Sequence, residues 1–345
     1  MKSIYLLSTV IAILVVSTTV PTISIMNHDI VLPAYAQDKA FAEPEEEENA
    51  GPYEIDSESE ENYPNFNFVV AGDFGCGGKP ERTISNMLTK DPELVLSTGD
   101  LSYSRTADCW FDVVSPLDKN GKIKIAFGDH DIDKNLTRFN QYMDHFNLTQ
   151  PYYSFNYQNV HFLAMATGKG TVIPYNETSK QYEFVEQDLS DAYNNEEIEW
   201  IIVYSYRPLY SSPTNHPVLD SLQDAYHPLF DKYGVDLVLQ GHNHNYQRTY
   251  PLTYNNTDPS TPVITDRHTR DYKNEKGAIF LTVGTGGKDL HNFTGQKPFV
   301  IEQFERHGFV NIDVTDGGRN LTSTFFENRE MKDKDHFSIF KKSIR

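Results

Sequence analysis

The chain has 345 residues, 38% of them hydrophobic and 13% aromatic, enough for one large core or two small ones. Its formal net charge is −19, which excludes a protein that works by neutralising nucleic-acid phosphates, because that needs a basic face. The acidity is uneven: residues 38–62 hold eleven acids against Lys39 alone, about half of the whole excess.

In chain order, the first feature is an export signal. Lys2 precedes a mostly apolar run over 4–16, too short to span a bilayer, and Ala34-Tyr35-Ala36 is a small-residue cleavage site with Gln37 as the expected mature start. Left uncleaved, the same run would anchor the chain in a membrane, and that alternative stays open. No later stretch of the sequence is apolar enough to cross one. Residues 1–36 are thus expected to be a signal peptide, and the protein to be exported, extracellular or at the cell surface. Residues 37–64 read as an acidic disordered tether, Glu-rich with Pro44 and Pro52 and without an apolar period, so they cannot bury enough surface to offset ordering. The folded domain is expected over 65–345. Sequons at Asn135, Asn147, Asn176, Asn255, Asn292 and Asn320 permit glycosylation in a suitable host.

From Phe66 a pattern recurs. A short apolar run stops abruptly in Gly and polar residues. The run over 66–71 leads into Gly72-Asp73-Phe74-Gly75, and the run over 94–96 into Gly99-Asp100-Leu101-Ser102-Tyr103. The runs over 123–127, 200–203, 235–239 and 278–283 lead into Gly128-Asp129-His130-Asp131, Tyr204-Ser205-Tyr206-Arg207-Pro208, Gly241-His242-Asn243-His244 and Gly284-Thr285-Gly286-Gly287. Runs of this length bounded by Gly and Pro predict buried strands. Between them, Ile84, Met87 and Leu88 after Pro80, and Leu219, Leu222, Tyr226 and Leu229, keep helical spacing. Alternating strands and helices predict an α/β sheet, and strands over 161–166 and 309–326 without intervening helices predict a second, mixed sheet. Ligands in such folds sit beyond the carboxyl ends of strands. Cys76 and Cys109 are the only cysteines, each a few residues after a Gly-Asp step on what should be adjacent strand-end loops, so an exported chain should join them.

Asp73, Asp100, Asp129, His130, His242 and His244 each follow a predicted strand directly. A single Asp there is usually a turn former and a single His usually fills surface or core. Three Gly-Asp steps and a Gly-His-x-His at strand ends are another matter. Crowded carboxylates repel, a cation is the simplest compensation, and mixed carboxylate and imidazole donors suit iron, zinc or manganese.

The blocks Asp73-x-Gly75, Gly99-Asp100-x-x-Tyr103, Gly128-Asp129-His130, Val203-x-x-Tyr206 and Gly241-His242-x-His244 resemble, in order and spacing, the five-block signature of the purple acid phosphatases within the calcineurin-like metallophosphoesterases. The resemblance runs from about Phe66 to the C-terminus. It extends to Tyr206-Arg207-Pro208-Leu209-Tyr210 and His244-Asn245-Tyr246-Gln247-Arg248, with no counterpart expected for the amino-terminal β-sandwich of larger plant-type members. Gly75 replaces the first-block His of most of the superfamily and Tyr103 offers a phenolate instead, which is the purple acid phosphatase pattern and favours Fe(III). The resemblance implies a four-layer αββα sandwich of two mixed β-sheets flanked by helices. It implies Fe(III) at metal 1, held by Asp73, Tyr103, His244 and the bridging Asp100. It implies Fe(II), Mn, Zn or Mg at metal 2, held by Asp100, Asp129 and His242, with Tyr206 where the family keeps a His. His130 would meet the leaving-group oxygen. His216 stands near a substrate-contacting His of the family, or is a surface-loop histidine.

Two positions depart from the family: Asp129 replaces Asn, and Tyr206 replaces a His ligand. Both lie in the metal-2 half, which gains oxygen and loses nitrogen. The activity implied is hydrolysis of small phosphate monoesters by a metal-bound hydroxide. A non-catalytic or single-metal descendant that binds phosphate esters or a surface partner, and a phosphodiesterase on the same fold, remain alternatives. Other motifs fail: Cys76-Gly77-Gly78-Lys79-Pro80 lacks the spacing of a phosphate loop, 284–287 is no dinucleotide fingerprint, and Ser97 and Ser205 have no triad partners.

Overall fold

The computed structural model describes residues 63–119, 121–216 and 220–342. The expected signal peptide, nearly all of the acidic tether, and Leu219 of the second helical stripe lie outside the described residues.

The strands are, in chain order, β1 (Phe66–Ala71), β2 (Leu94–Ser97), β3 (Ile123–Ile125), β4 (Tyr153–Tyr157), β5 (Val160–Met165), β6 (Trp200–Ser205), β7 (Leu237–Gln240), β8 (Tyr246–Thr249), β9 (Leu252–Thr253), β10 (Val263–Ile264), β11 (Asp271–Lys273), β12 (Ile279–Val283), β13 (Val300–Phe304), β14 (Gly308–Thr315), β15 (Asn320–Glu327) and β16 (Asp333–Phe340). The helices are α1 (Gly78–Leu88), α2 (Asp108–Val114), α3 (Thr137–His145), α4 (Lys180–Tyr193) and α5 (Asp220–Lys232). One sheet runs β11-β16-β15-β14-β1-β2-β3 and the other β13-β8-β12-β7-β6-β5-β4, with β9 and β10 a separate pair. Both are mixed. Strands β1, β2 and β3 are parallel, as are β5, β6, β7 and β12, and antiparallel strands flank each set.

The period-two alternation of the second sheet explains the layers. Leu163, Met165, Ile201, Val203, Val238 and Phe280 face outward onto Val185 and Leu189 of α4 and Leu222, Tyr226 and Leu229 of α5. Their neighbours Phe162, Ala164, Ile202, Tyr204, Leu239 and Leu281 face inward onto the first sheet's Phe68, Val70 and Ile312. Phe68 meets Phe162 edge-on at 5.2 Å between centroids. Helix α1 covers the far side of the first sheet with Ile84 and Met87. The four-layer αββα sandwich follows, each buried face supplied by residues of the expected period.

A charged pair lies in the core between the sheets. Arg248 on β8 is buried and donates from Nε and Nη2 to Asp335 on β16, at 2.6 and 2.8 Å, and the Tyr246 hydroxyl donates to the same carboxylate at 2.8 Å. A buried charge needs such full pairing. Cys76 and Cys109 are joined, their Cα atoms 6.0 Å apart, which ties the loop after β1 to the start of α2. Strand β3 ends at Ile125 and β7 begins at Leu237, each two residues short of the apolar runs that predicted them.

Candidate metal centre

The carboxyl ends of β1, β2, β3, β6, β7 and β12 converge, and their loops knit the two sheets together. Gly72 N donates to Val283 O at 2.9 Å, and His242 N donates to Asp73 Oδ2 at 2.9 Å. These loops turn sharply. Asp73, Asp100, Tyr103 and His242 have φ of 57°, 52°, 55° and 68°, a region non-glycine residues enter at a cost and keep where the surroundings enforce it. Glycine is needed beside them. At Gly99, with φ of 96°, an added Cβ would lie 2.8 Å from Gly128 N, and at Gly284 it would lie 2.7 Å from Asp73 Oδ2. The strand ends thus pack directly on the carboxylates.

Two triads of the same composition result. In the first, the Tyr103 hydroxyl lies 3.0 Å from Asp73 Oδ1 and 2.9 Å from His244 Nε2, and His244 Nε2 lies 3.2 Å from Asp73 Oδ1. In the second, the Tyr206 hydroxyl donates to Asp100 Oδ2 at 2.7 Å and lies 2.8 Å from His242 Nδ1. Asp73 is fully buried and Asp100 is 1% exposed. Burial, with repulsion from Asp73 and Asp131, raises the Asp100 carboxyl well above its usual range. Burial and the Asp73 and Asp100 charges push the Tyr103 hydroxyl up, and burial and Asp100 do the same to Tyr206. Burial, helped by Arg207, pushes His242 down to about 3. Burial works against a charged His244 too, but the Asp73 carboxylate outweighs it and leaves this ring shifted upward.

Without a cation, then, two adjacent buried carboxylates are quieted only by hydroxyl and imidazole protons and one backbone N–H each, from His242 to Asp73 and from His130 to Asp100. A multivalent ion reverses that logic, since carboxylate, phenolate and neutral imidazole all become donors to it. Among the described residues no three His, Cys, Asp or Glu side chains already enclose one point. Each triad has two such groups, and its third donor is a tyrosine. The donor chemistry of both triads fits a hard or borderline cation.

The structure brings the remaining predicted residues to the same place. His130 N donates to Asp100 Oδ1 at 2.7 Å, and its ring lies 4.4 Å from that of Tyr103. Burial and the Arg138 charge lower its pKa. His216 is exposed, 5.4 Å from the His242 ring between centroids. Asp129 is at the rim with Oδ2 paired to Arg207 Nη2, while its Oδ1 is buried with no hydrogen-bond partner among the described residues.

Three residues escaped sequence reasoning. Asp131 is fully buried and accepts from the backbone N–H of Asp100, Leu101 and Gly128, each at 2.8 Å, so it shapes the loop that carries Asp100. Burial pushes its carboxyl up to about 7 despite those bonds. His291 stacks on His244 at 3.8 Å and on His216 at 4.1 Å. Lys288 Nζ sits 4.7 Å over the Tyr103 ring. Asp131 was visible as the last residue of a quoted block. His291 and Lys288 lie in a loop without motif.

The family model for the calcineurin-like phosphoesterases matches residues 66–246, which run from the first strand through the second triad's His242 and the first triad's His244. The chain belongs to the calcineurin-like phosphoesterase family. Within it, the chain is similar to purple acid phosphatases. Purple acid phosphatase 15 of Arabidopsis thaliana is 27% identical over 244 residues, 59% of this chain and 44% of that protein. Purple acid phosphatase 23 of the same plant is 25% identical over 268 residues, 66% of this chain and 54% of its own. The chain therefore spans about half the length of the curated relatives it matches. The solved purple acid phosphatase PPD1 of yellow lupin (Lupinus luteus) seeds shares the fold with a TM-score of 0.67 at 22% identity, over 82% of this chain and 55% of that one.

Proposed function

We propose that this chain is an exported, metal-dependent phosphoesterase that hydrolyses phosphate monoesters. The observation that carries the reading is the pair of Asp-Tyr-His triads, buried beside each other at the strand ends with His130 and His216 at their open side. Asp73, Tyr103 and His244, with Asp100 shared, would hold Fe(III). Asp100, His242, Asp129 and Tyr206 would hold Fe(II), Mn, Zn or Mg. When bound, such a pair supplies an activated water and neutralises charge on the phosphoryl oxygens. The chain's own residues do the rest. Asp131 keeps the Asp100 loop in its left-handed turn, His130 meets the leaving-group oxygen, and His216 contacts the phosphate from the facing loop. Export is supported by the Cys76–Cys109 disulfide, a bond that persists in oxidising surroundings. Among the described residues no helix is long and apolar enough to cross a membrane.

The test is elemental analysis of the purified protein beside turnover of an aryl phosphate monoester and diester. The expected result is bound metal, turnover abolished by chelation and restored by readdition, and monoester favoured over diester. Metal-replete protein without turnover would overturn it. One observation favours a second reading, a single-metal binding protein: Asp129 is engaged by Arg207, and the Tyr206 hydroxyl stands between Asp100 and His242. One metal per chain with no turnover is what that reading expects.

A further inference from the structure

On the His130 side of the centre lies an open cleft of about 520 Å³, lined by Asp129, His130, Arg138, Lys169, Tyr175 and Arg207 and the turn over 168–171. In a chain of net charge −19 this is a local concentration of positive charge, three cations against the single carboxylate of Asp129. Asp131 and Asp133 feel the Arg138 charge from behind, but the cleft's lining does not include them.

How the cations are held matters as much as their number. Lys169 Nζ donates to the main-chain oxygen of Ile132 at 2.6 Å, and Arg138 Nη1 donates to that of Ser104. A carbonyl fixes the direction of a charged group without cancelling its charge. Among the described residues, only Arg207 of the three has a carboxylate partner, Asp129. Arg138 and Arg207 each keep a buried Nε without a hydrogen-bond partner among the described residues. The charges are oriented in advance and left largely uncompensated, an arrangement that costs folding energy and suits an anion arriving later.

Resting on the phosphoesterase reading of the adjoining centre, we propose that this cleft receives a second phosphate carried by the leaving group, so that the preferred substrates are phosphate esters bearing two phosphates. The position fits the reaction. Water oxygen bonds to phosphorus, the ester P–O bond breaks with its electron pair passing to the leaving oxygen, and that oxygen takes up a proton on the His130 side. The rest of the leaving group must then extend past His130, which the cleft shares with the centre. The charge fits as well. Three cations less one carboxylate leave an excess of two, matching a phosphate dianion. Guanidinium groups pair with phosphate in a planar, two-pronged manner that a hydroxyl cannot return. A leaving group with a neutral end would leave the cleft's charges unmatched.

The experiment compares the bisphosphate of a three-carbon diol with propyl phosphate, which differ only in the second phosphate. For the natural chain, kcat/KM should favour the bisphosphate by at least about tenfold, beyond the twofold statistical factor. Lys169→Met should cut the ratio of the two kcat/KM values by about tenfold, a loss of about 1.4 kcal/mol specific to one substrate. Lys169→Arg should restore the ratio, and Arg138→Gln should lower it as Lys169→Met does. A purely structural role would lower both substrates together and leave the ratio unchanged, and that result would overturn the proposal. Calorimetric titration of both compounds separates the cleft from the chemistry. If neither is hydrolysed, the phosphoesterase reading fails, yet tighter binding of the bisphosphate that is lost in Lys169→Met still upholds the cleft. Equal affinity for the two compounds, or bisphosphate binding indifferent to Lys169→Met and Arg138→Gln, would overturn it.

Discussion

The two Asp-Tyr-His triads have the same composition and different support. In the first, His244 presents Nε2 to Tyr103 and Asp73 because its Nδ1 donates to the main-chain oxygen of Asp289 at 2.6 Å. Backbone fixes the tautomer, as behind many metal-binding histidines. In the second, His242 turns Nδ1 to the Tyr206 hydroxyl, and the extra carboxylate Asp129 is paired with a cation, Arg207. The first triad is held by scaffold, the second largely by its own side chains. Equal donor types therefore do not make equal sites. The first should keep its metal through purification, and the second should exchange.

The largest effect should come from the residue both halves would share. Asp100→Asn should lower turnover on the order of 10³-fold or more, about 4 kcal/mol of barrier, measured on an aryl phosphate, with metal lost from both halves. Retention of metal in the first triad alone would show the halves to be independent. Next comes Asp131, which accepts from the backbone N–H groups of Asp100, Leu101 and Gly128. Asp131→Asn should cost roughly 10–100-fold in metal affinity or activity, the usual scale for an outer partner. An effect confined to the first triad would contradict its placement.

The tyrosines sharpen the comparison at smaller scale. Tyr103→Phe should bleach the phenolate charge-transfer colour of Fe(III)-loaded protein, and Tyr206→Phe should leave it. The double change Tyr206→His with Asp129→Asn should alter metal preference toward zinc and keep turnover within about tenfold, roughly 1.4 kcal/mol. A large gain in turnover would mean that the natural second half is not a working site.

The smallest effect is on stability. Burial raises the Asp100 carboxyl well above its usual range, and raises Asp131 from 3.8 to about 7. Between those values these two carboxyls bind more protons in the folded, metal-stripped chain than in the unfolded one, so their contribution to stability falls as pH rises, while His242, lowered to about 3, and His291, lowered to about 4, work in the opposite direction. The contribution is full below pH 3.8 and is lost as pH climbs through about 7. In stripped protein, Asp131→Asn should remove part of the thermal-midpoint advantage of about pH 5 over neutral pH, by a few degrees at roughly 2–4 °C per kcal/mol for a domain of this size. Metal should flatten that dependence, and an Asp131→Asn midpoint with the same pH dependence as the natural chain would contradict it.

Much of this was legible because chemistry at strand ends leaves a mark: apolar runs cut off by Gly-Asp or Gly-His foretold β1, β2, β3 and β7 with Asp73, Asp100, His242 and His244 at or near their ends, while Tyr103 and Tyr206 entered through the family resemblance. Helix α3 was not foretold: its apolar stripe is short, Phe139, Tyr142 and Met143, and of these only Tyr142 is fully buried. Strand β16 was missed for a related reason. Its inward positions include Asp335, a polar residue admitted to the core only because Arg248 and Tyr246 meet it there. The job of Asp131 was hidden because its partners are main-chain donors, and the side-chain sequence does not say where those point. The cationic cleft was hidden too. Arg138, Lys169 and Arg207 are far apart in the chain, and only the fold gathers them.

Strand β1 lies between β2 and β14, with Phe66 opposite Val314. During synthesis, the strand that launches Asp73 emerges first and its antiparallel neighbour almost last. This interior strand of the first sheet must wait, half-paired, until nearly the whole domain exists. Such long-range closure is slow and exposes unpaired edges meanwhile. A chain built this way should complete the Asp73 side of its strand-end site only late in folding, so any metal held there should enter late as well.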